Sequence, residues 1–296
     1  MNNKKKGISL VLIATLFWGM MGVTSRTLAN AGINSMSISF FRCLIAAIGF
    51  SIFLFIFNKN AFKIDLKGII VSALYGIVTF GLSFTTFNIA VERVPIAVAT
   101  VLMFTNPIWV TIFNAIFFKE KITAKKAIVI LLAITGCILI SNIFGVGFEN
   151  LDIIGLLIGL STGVLFALQL VIPRFFDGKY SKDSMLIYGF IASAIVLAFF
   201  TDFSGVNKAI TTDTQPIFVV LNILSIGVLS TFIANIAYVK STDYIDSGIA
   251  SVLVALEPVL GSLFAYLVYG ETLTALQLLG GLIIVFAAIW LARSSN

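Results

Sequence analysis

Histidine is absent from this 296-residue sequence, and only two cysteines occur. Neither a histidine set nor a cysteine cluster is available to hold a metal ion. Cys43 and Cys137 both lie inside apolar stretches, so we expect buried thiols and no disulfide framework. A glycine-rich phosphate loop and a nucleotide-binding domain are also missing from the pattern. We therefore expect no metal, no cofactor and no enzyme activity.

Charged residues are scarce, at 11% of the chain against about 25% in an ordinary soluble domain. Hydrophobic residues make up 59%, and the mean hydropathy is +1.10. A chain this apolar cannot cover a soluble surface, so its main partner is predicted to be the lipid bilayer. The net charge of +6 does not indicate nucleic acid, because the basic residues lie in short loops between apolar stretches.

Ten runs of about 20 apolar residues follow one another along the chain. Helices are predicted, because a segment in hydrocarbon must satisfy its own backbone hydrogen bonds. The runs are too continuously apolar for the strands of an outer-membrane barrel. The first run lacks a small-residue cleavage site, so it is predicted to be a span and not a signal peptide. The predicted spans are 7–28, 37–57, 67–90, 95–118, 124–143, 153–173, 184–200, 216–239, 248–269 and 274–292.

The basic residues divide unequally between the two sides of this predicted bundle. If the N-terminus is cytoplasmic, 15 of the 19 Lys and Arg residues lie on the cytoplasmic side. Only Arg26, Arg93 and Lys208 lie outside, and Arg42 lies within a span. The positive-inside rule therefore predicts a multi-pass protein of the cytoplasmic membrane with both termini in the cytoplasm.

An internal repeat is visible at an offset of 151 residues. Residues 99–123 align with 250–274, and seven of the 25 positions are identical, including Pro107 with Pro258 and Glu120 with Glu271. At an offset of 148, Arg26 aligns with Arg174. Since each half holds an odd number of spans, the halves 1–146 and 147–296 are predicted to insert with opposite orientation. Such repeats place a substrate site near the midplane and permit alternating access.

Several short motifs carry a resemblance to a known family. They are Phe17-Trp18-Gly19, Phe41-Arg42, Asn106-Pro107 and Glu257-Pro258, and each of the last two precedes a Glu by twelve intervening residues. Together they resemble the EamA-type family of the drug/metabolite transporter superfamily over essentially the whole chain. The resemblance implies ten helices in a five-plus-five inverted repeat. It also implies transport of amino acids and related metabolites, mostly export, commonly driven by a proton or ion gradient. The Gly-Glu pair that is usual in the family is present in the second half as Gly270-Glu271. The first half departs from it, with Lys119-Glu120 at the matching positions.

Two ionisable residues, Arg42 and Glu257, lie well inside predicted spans. Unpaired charges there cost at least about 2.5–3.5 kcal/mol, so neither is expected to face lipid. Glu257 is either a protonatable or cation-binding group of a central cavity or a structural bond to a neighbouring helix. Asn106 stands at the matching position in the first half, where the two side chains could approach. Arg42 could attract a substrate carboxylate, reach the interface or pair with Glu92, and a structural role is the favoured interpretation.

Further candidates line the predicted inner faces. Trp18 lies at mid-helix, away from the usual interfacial belt, so it either lines a cavity or packs beside Gly19. Small and polar residues recur on the third helix (Ser72, Gly76, Thr79, Ser83, Thr86) and the eighth, which predicts close helix packing. The weaker candidates are Tyr75, Phe80, Trp109, Gln169, Asn235 and Tyr266. The fifth and tenth spans hold almost nothing polar, so they are predicted to face lipid or a second copy in a homodimer.

A secondary transporter of a small polar metabolite is the main hypothesis. Helices one, three, four, six, eight and nine are expected to surround its cavity. An importer of an organic cation is an alternative, in which Trp18, Tyr75, Phe80 and Glu257 form an aromatic, anionic cage. A passive channel is a second alternative, although the repeated carbonyl loops of ion filters are not visible.

Overall fold

The computed structural model describes residues 3–143, 152–212 and 216–294, and all regular elements within these ranges are helical. The predicted boundary between the halves, at 146/147, lies outside the described residues. Ten long helices follow the ten predicted runs. They are α1 (Asn3–Asn30), α2 (Ser35–Phe57), α3 (Leu66–Arg93), α4 (Ile96–Phe118), α5 (Ala124–Ile140), α6 (Ile153–Arg174), α7 (Lys182–Ala198), α8 (Pro216–Ser241), α9 (Ser247–Tyr269) and α10 (Ala275–Ser294).

Eight of these helices are long and apolar enough to cross a bilayer, all except α5 and α7. A short helix, Phe203–Thr212, follows α7 at an angle of 91°, and the pair makes a ninth candidate if counted as one span. α5 and α7 have 17 residues each. Such a helix is about 26 Å long, at the short end of what crosses a bilayer. The all-α membrane fold is confirmed, while ten crossings stays a prediction.

Short polar caps fix where the helices begin. Asn34 precedes α2 and accepts a hydrogen bond from Ser37 N at 2.8 Å, and Asp65 precedes α3 and accepts from Gly68 N at 2.8 Å. Thr123, Asp152, Ser181 and Asp246 cap other helices in the same way. The bond from the Gly68 N–H lowers the pKa of Asp65. These side chains satisfy backbone donors that have no partner inside the helix.

Irregular turns recur at the repeat offset. One turn of α3, Ile77–Leu82, is a π-helix, and so is the turn 151 residues later in α8, Val228–Ile233. α4 breaks before Asn106 and α9 changes to a 3₁₀ turn before Glu257. Proline follows each of these two residues and lacks the N–H that a continuous helix needs. The repeat seen in the sequence therefore extends to the backbone.

Helix packing follows a two-fold pattern. α1 packs on α8 and α9 of the second half, and its repeat mate α6 packs on α3 and α4 of the first. α5 packs on its own mate α10, and α2 and α7 lie against each other. The first helix of each half thus packs on helices of the other half, which is the pattern that a two-fold axis produces. The interior of the bundle is therefore built from both halves.

α3 and α7 approach each other closely at two glycines. A Cβ on Gly76 would overlap the backbone of Gly189, and a Cβ on Gly189 would lie 3.0 Å from the Cα of Gly76. Close approach of small residues gives van der Waals packing that apolar bulk cannot, because lipid is as apolar as leucine. On the third predicted span, the small residue Gly76 therefore allows close helix packing, as expected.

Candidate functional site

A cavity of about 680 Å³ lies between the halves. Its lining residues come from α1, α2, α3, α4, α6, α8 and α9, and none belongs to α5, α7 or α10. Its deepest part is at mid-helix, near Trp18, Gln169 and Glu257. From there it extends to one end of the bundle, where Ile96 is 67% exposed. We call this end, which carries the α1–α2 connection, the mouth, and the opposite end the closed end.

The cavity matches the predicted set of six helices and adds α2. Ser35, Ile38, Ser39 and Arg42 of α2 all line it. Sequence reasoning considered only Arg42 on this helix. The other three could have been predicted from their spacing to Arg42, because residues three and four positions apart share one helix face. Phe84, Phe166 and Thr162 were missed as well, and their residue types alone carry no signal for a cavity.

Glu257 is held at the cavity by the break in α9. It is the first residue of the α-helical segment that follows the 3₁₀ turn Val254–Leu256. Its carboxylate makes no hydrogen bond and no ion pair with any described residue, and the residue lines the cavity. Neighbouring helices contribute Arg42, Tyr238 and Cys137 to its electrostatic surroundings. The carboxylate is therefore available to a ligand or a proton.

Arg42 is buried in the opposite wall, with 8% of its surface exposed. Its Nε donates to Thr231 Oγ1 at 3.2 Å, and its guanidinium lies 3.9 Å from the centre of the Phe84 ring. The terminal nitrogens have no hydrogen-bond partner among the described residues. Arg42 forms no ion pair with Glu92 in the described part of the chain, so that predicted pairing is wrong. One face of α2 is exposed on the bundle surface, and the face that carries Arg42 meets α8.

A fixed chain of amides ends in the cavity. The carbonyl of Thr231 can only accept, so the Asn235 amide nitrogen faces it, at 2.7 Å. The Asn235 oxygen then faces Gln169, whose amide nitrogen donates to it. The Gln169 side-chain oxygen is consequently directed away from Asn235 and has no hydrogen-bond partner among the described residues. Gln169 and Asn235 both line the cavity, so they present an acceptor of fixed orientation.

Trp18 forms part of the floor. Its ring lies edge-on to Phe166 at 5.7 Å and to Tyr238 at 4.9 Å. It lines the cavity and also packs in the core, so both of its predicted roles are combined. Gly19, next to it, admits the backbone of α9, because a Cβ there would lie 3.1 Å from Gly261 N.

Two predicted aromatic candidates lie outside the cavity. Tyr75 is buried and its hydroxyl donates to the backbone carbonyl of Gln169 at 3.1 Å. Phe80 stacks on Phe190 of α7 at 4.1 Å. Both belong to a core shared by α2, α3 and α7. The predicted cage of Trp18, Tyr75, Phe80 and Glu257 is therefore not formed, because the face of α3 that carries Tyr75 turns toward α7.

Asn106 is also outside the cavity. It is 0% exposed, and neither its amide nitrogen nor its oxygen has a hydrogen-bond partner. Asn106 therefore forms no hydrogen bond with Glu257. Of the weaker candidates, Trp109 donates to Thr105 Oγ1 at 3.1 Å and Tyr266 is exposed on the bundle surface. Thus Trp18, Arg42, Asn235 and Glu257 are brought together, and Asn106, Tyr75 and Phe80 are not.

The closed end is joined by a polar network across the two halves. Arg174 Nη1 lies 2.8 Å from Glu120 Oε1 and donates to Asn114 Oδ1 at 2.8 Å. Asn114 Nδ2 in turn donates to Ser247 Oγ at 2.8 Å. Lys126 lies 3.4 Å from Asp246 and adds a second cross-half ion pair. α4, α6 and α9 are therefore bound together below the cavity floor.

Comparison with known proteins identifies the family. The EamA-like transporter family matches residues 5–142 and 153–293, once in each half. The chain belongs to this family. Similar proteins include an uncharacterized transporter of Archaeoglobus fulgidus, 24% identical over 94% of this chain and 92% of its own. Another is the pseudopaline exporter CntI of Pseudomonas aeruginosa, 23% identical over 99% and 98% of the two chains.

One solved crystal structure shares the fold, with a TM-score of 0.81 over 99% of both chains at 14% identity. An EamA-like protein with these apolar helices is a multi-pass membrane protein, and its family and relatives assign it to membrane transport. They also point away from an enzyme.

Proposed function

We propose that the protein is a secondary active transporter that moves a small polar metabolite by alternating access. The observation that carries this is the cavity itself, which is open at the mouth, closed at the other end and set between two inverted halves. Rocking of such halves about a midplane site exposes it to each side in turn. A passive channel needs a path through both ends, and the network of Asn114, Arg174 and Ser247 interrupts one.

The charges in the deep cavity favour a zwitterionic substrate. Arg42 and Glu257 interact electrostatically but form no ion pair, and each retains unpaired polar atoms. A buried charge is stable only when it is paired and hydrogen-bonded. A substrate carboxylate at Arg42 would pair with the guanidinium. A substrate ammonium group between Glu257 and the Gln169 oxygen would pair with the carboxylate. Amino acids and related compounds have this chemistry, and Trp18 and Phe166 offer apolar surface to the remainder.

Export is the proposed direction. The relative named as a pseudopaline exporter supports it. The membrane is proposed to be the cytoplasmic membrane, with the mouth facing out, because the mouth end carries Arg26 and Arg93 while most basic residues lie at the closed end. An organic cation is a poorer fit, since Arg42 adds a positive charge to the same cavity.

Glu257 is proposed to couple transport to a proton or cation. When the halves exchange conformations, Glu257 would take up the environment that Asn106 now occupies, which is fully buried and offers no hydrogen bond. An ionised carboxylate there would be very costly, so it must first bind a proton or a cation. Asn106 carries no charge and can be buried in either state. Because only the second half carries an ionisable residue at this position, Glu257 alone is proposed to couple transport.

The test is Glu257→Gln in proteoliposomes, with a panel of radiolabelled amino acids. The variant retains shape and loses the ionisable proton. We expect gradient-driven accumulation to be abolished, while counterflow of the same amino acid persists with weaker affinity, because the amide oxygen still accepts from the ammonium group and the amide can be buried in both states. Glu92→Gln serves as the matched control, since Glu92 is exposed at the end of α3. Full uphill transport by Glu257→Gln would show that the coupling group lies elsewhere.

A further inference from the structure

The two ends of the molecule differ in how the halves can close against each other. At the closed end, one face of α4 carries Asn106, Val110 and Asn114, all completely buried. The repeat mates on α9 are Glu257, Gly261 and Ala265. Glu257 and Gly261 line the open cavity. The same helix face is thus packed in one half and open in the other.

We propose that Asn114 and Ser247 form a one-sided lock, which stabilises the state with an open mouth and has no counterpart at the mouth. The lock rests on the proposed alternating access. Asn114 is 0% exposed and Ser247 is 3% exposed, and their hydrogen bond joins α4 to α9 across the two halves. Arg174 ties both residues to Glu120.

The repeat shows what would meet if the mouth closed in the same way. At the offset of 151, Ser247 corresponds to Ile96 and Asn114 to Ala265. Neither of these side chains can form a hydrogen bond. The ion pair of Arg26 with Glu271 does correspond to that of Arg174 with Glu120, and both are present here. The Arg–Glu pair is therefore common to the two ends, and the closed end differs from the mouth by the buried Asn114–Ser247 bond and by the more exposed Lys126–Asp246 pair.

The physical consequence is a bias between the two states. Opening the closed end exchanges the Asn114–Ser247 bond for water, while closing the mouth gains only an apolar contact. A hydrogen bond of this kind changes an equilibrium about five-fold. The unloaded protein would therefore rest with its mouth open, and a proton or cation bound at Glu257 would supply the energy to open the closed end.

Two cysteine probes report the two ends without any knowledge of the substrate. Gly22 lines the cavity near the mouth, and a Cβ there meets no atom within 4 Å, so Gly22→Cys reports an open mouth. Val110→Cys is buried below the cavity floor and reports opening of the closed end. Both are made in a Cys43→Ala, Cys137→Ala background and treated with a membrane-impermeant maleimide, in nanodiscs that leave both faces accessible.

Removing the lock is the first arm of the experiment. Ser247→Ala deletes the hydroxyl that accepts from Asn114, and alanine is well tolerated at a helix start. We expect the maleimide to modify Val110→Cys about five-fold faster, because its rate follows the small population that is open at this end. An unchanged rate would overturn the proposed role of Ser247.

Transplanting the lock to the mouth is the second arm. Ile96→Ser with Ala265→Asn creates the same pair at the repeat-related positions. We expect slower modification of Gly22→Cys and faster modification of Val110→Cys. The matched control, Ile96→Ala with Ala265→Leu, has similar volumes and no hydrogen bond, so it should leave both rates near those of the parent.

The outcomes separate the lock from the proposed function. If Val110→Cys reacts slowly in the parent but neither arm changes its rate relative to the control, the lock is wrong and alternating access stands. If Val110→Cys never reacts in any variant, the closed end does not open, and the proposed function fails together with the lock. If Ser247→Ala does not fold, the transplant alone decides.

Discussion

Arg42 and Glu257 show how much a single residue can indicate in a membrane protein. Hydrocarbon makes an unpaired charge so costly that both could be assigned to the interior from the sequence. Their neighbours were not predictable in the same way. The partner of Arg42 is Thr231, whose hydroxyl also donates to Ile226 at the π-helical turn of α8. Nothing in the spacing of residues 42 and 231 indicates that contact.

The proposed carboxylate anchor can be tested at Arg42. Arg42→Leu should weaken binding of amino acids by about 10- to 100-fold, the effect of one charge-assisted hydrogen bond. The matching decarboxylated amines should be affected little or should bind more tightly, because Glu257 then acts alone. Competition against counterflow measures both. Equal losses for amino acids and amines, together with poor expression, would instead favour the structural role.

At the scale of elements, the repeat is preserved in backbone conformation where the sequence departs from it. α4 ends at Lys119 with φ 55°, and α9 ends at Gly270 with φ 69°. Glycine adopts this left-handed conformation readily, whereas a side chain is strained there. Lys119, which stands where the family motif has glycine, therefore adopts the same left-handed conformation at the cost of backbone strain. The helix ends in the same way in both halves.

This strain gives a prediction for stability. Lys119→Gly should stabilise the folded protein by about 1 kcal/mol, because the left-handed conformation no longer carries a Cβ. Lys119 is exposed, so little packing is lost. Gly270→Lys at the matching position should destabilise by a similar amount. Thermal unfolding in detergent, followed by a thiol-reactive dye at the buried cysteines, measures both variants, and shifts of the same sign would contradict the assignment.

At the scale of the whole molecule, the structure arranges the chain ends and loops on two faces. Asn207 lies on an exposed helix beside the mouth, where Asp202 N donates to Ser37 Oγ. Lys125 is exposed at the closed end, next to Lys126 of the cross-half network. The two positions are on opposite faces, so they can report which face is cytoplasmic. Asn150, between the fifth and sixth predicted spans, lies outside the described residues.

The orientation predicted from the basic residues has a direct test. In intact cells, Asn207→Cys should react with an impermeant maleimide, and Lys125→Cys should react only after the membrane is permeabilised. The reason is the excess of Lys and Arg at the closed end, which favours the cytoplasm. Reversed accessibility of the two positions would overturn the orientation and place the mouth in the cytoplasm.

Residue identities at an offset of 151 showed the repeat, while hydropathy by itself determined the helical fold, the span positions and the interior location of Arg42 and Glu257. These follow from the cost of exposing backbone and charge to hydrocarbon, which acts on each segment independently of its neighbours. The tertiary structure alone decided that Tyr75 and Phe80 pack against α7, that Asn106 is buried while Glu257 lines the cavity, and that the closed end is held by Asn114 and Ser247. Periodicity places a residue on a helix face, but which helix covers that face depends on packing between segments far apart in the chain.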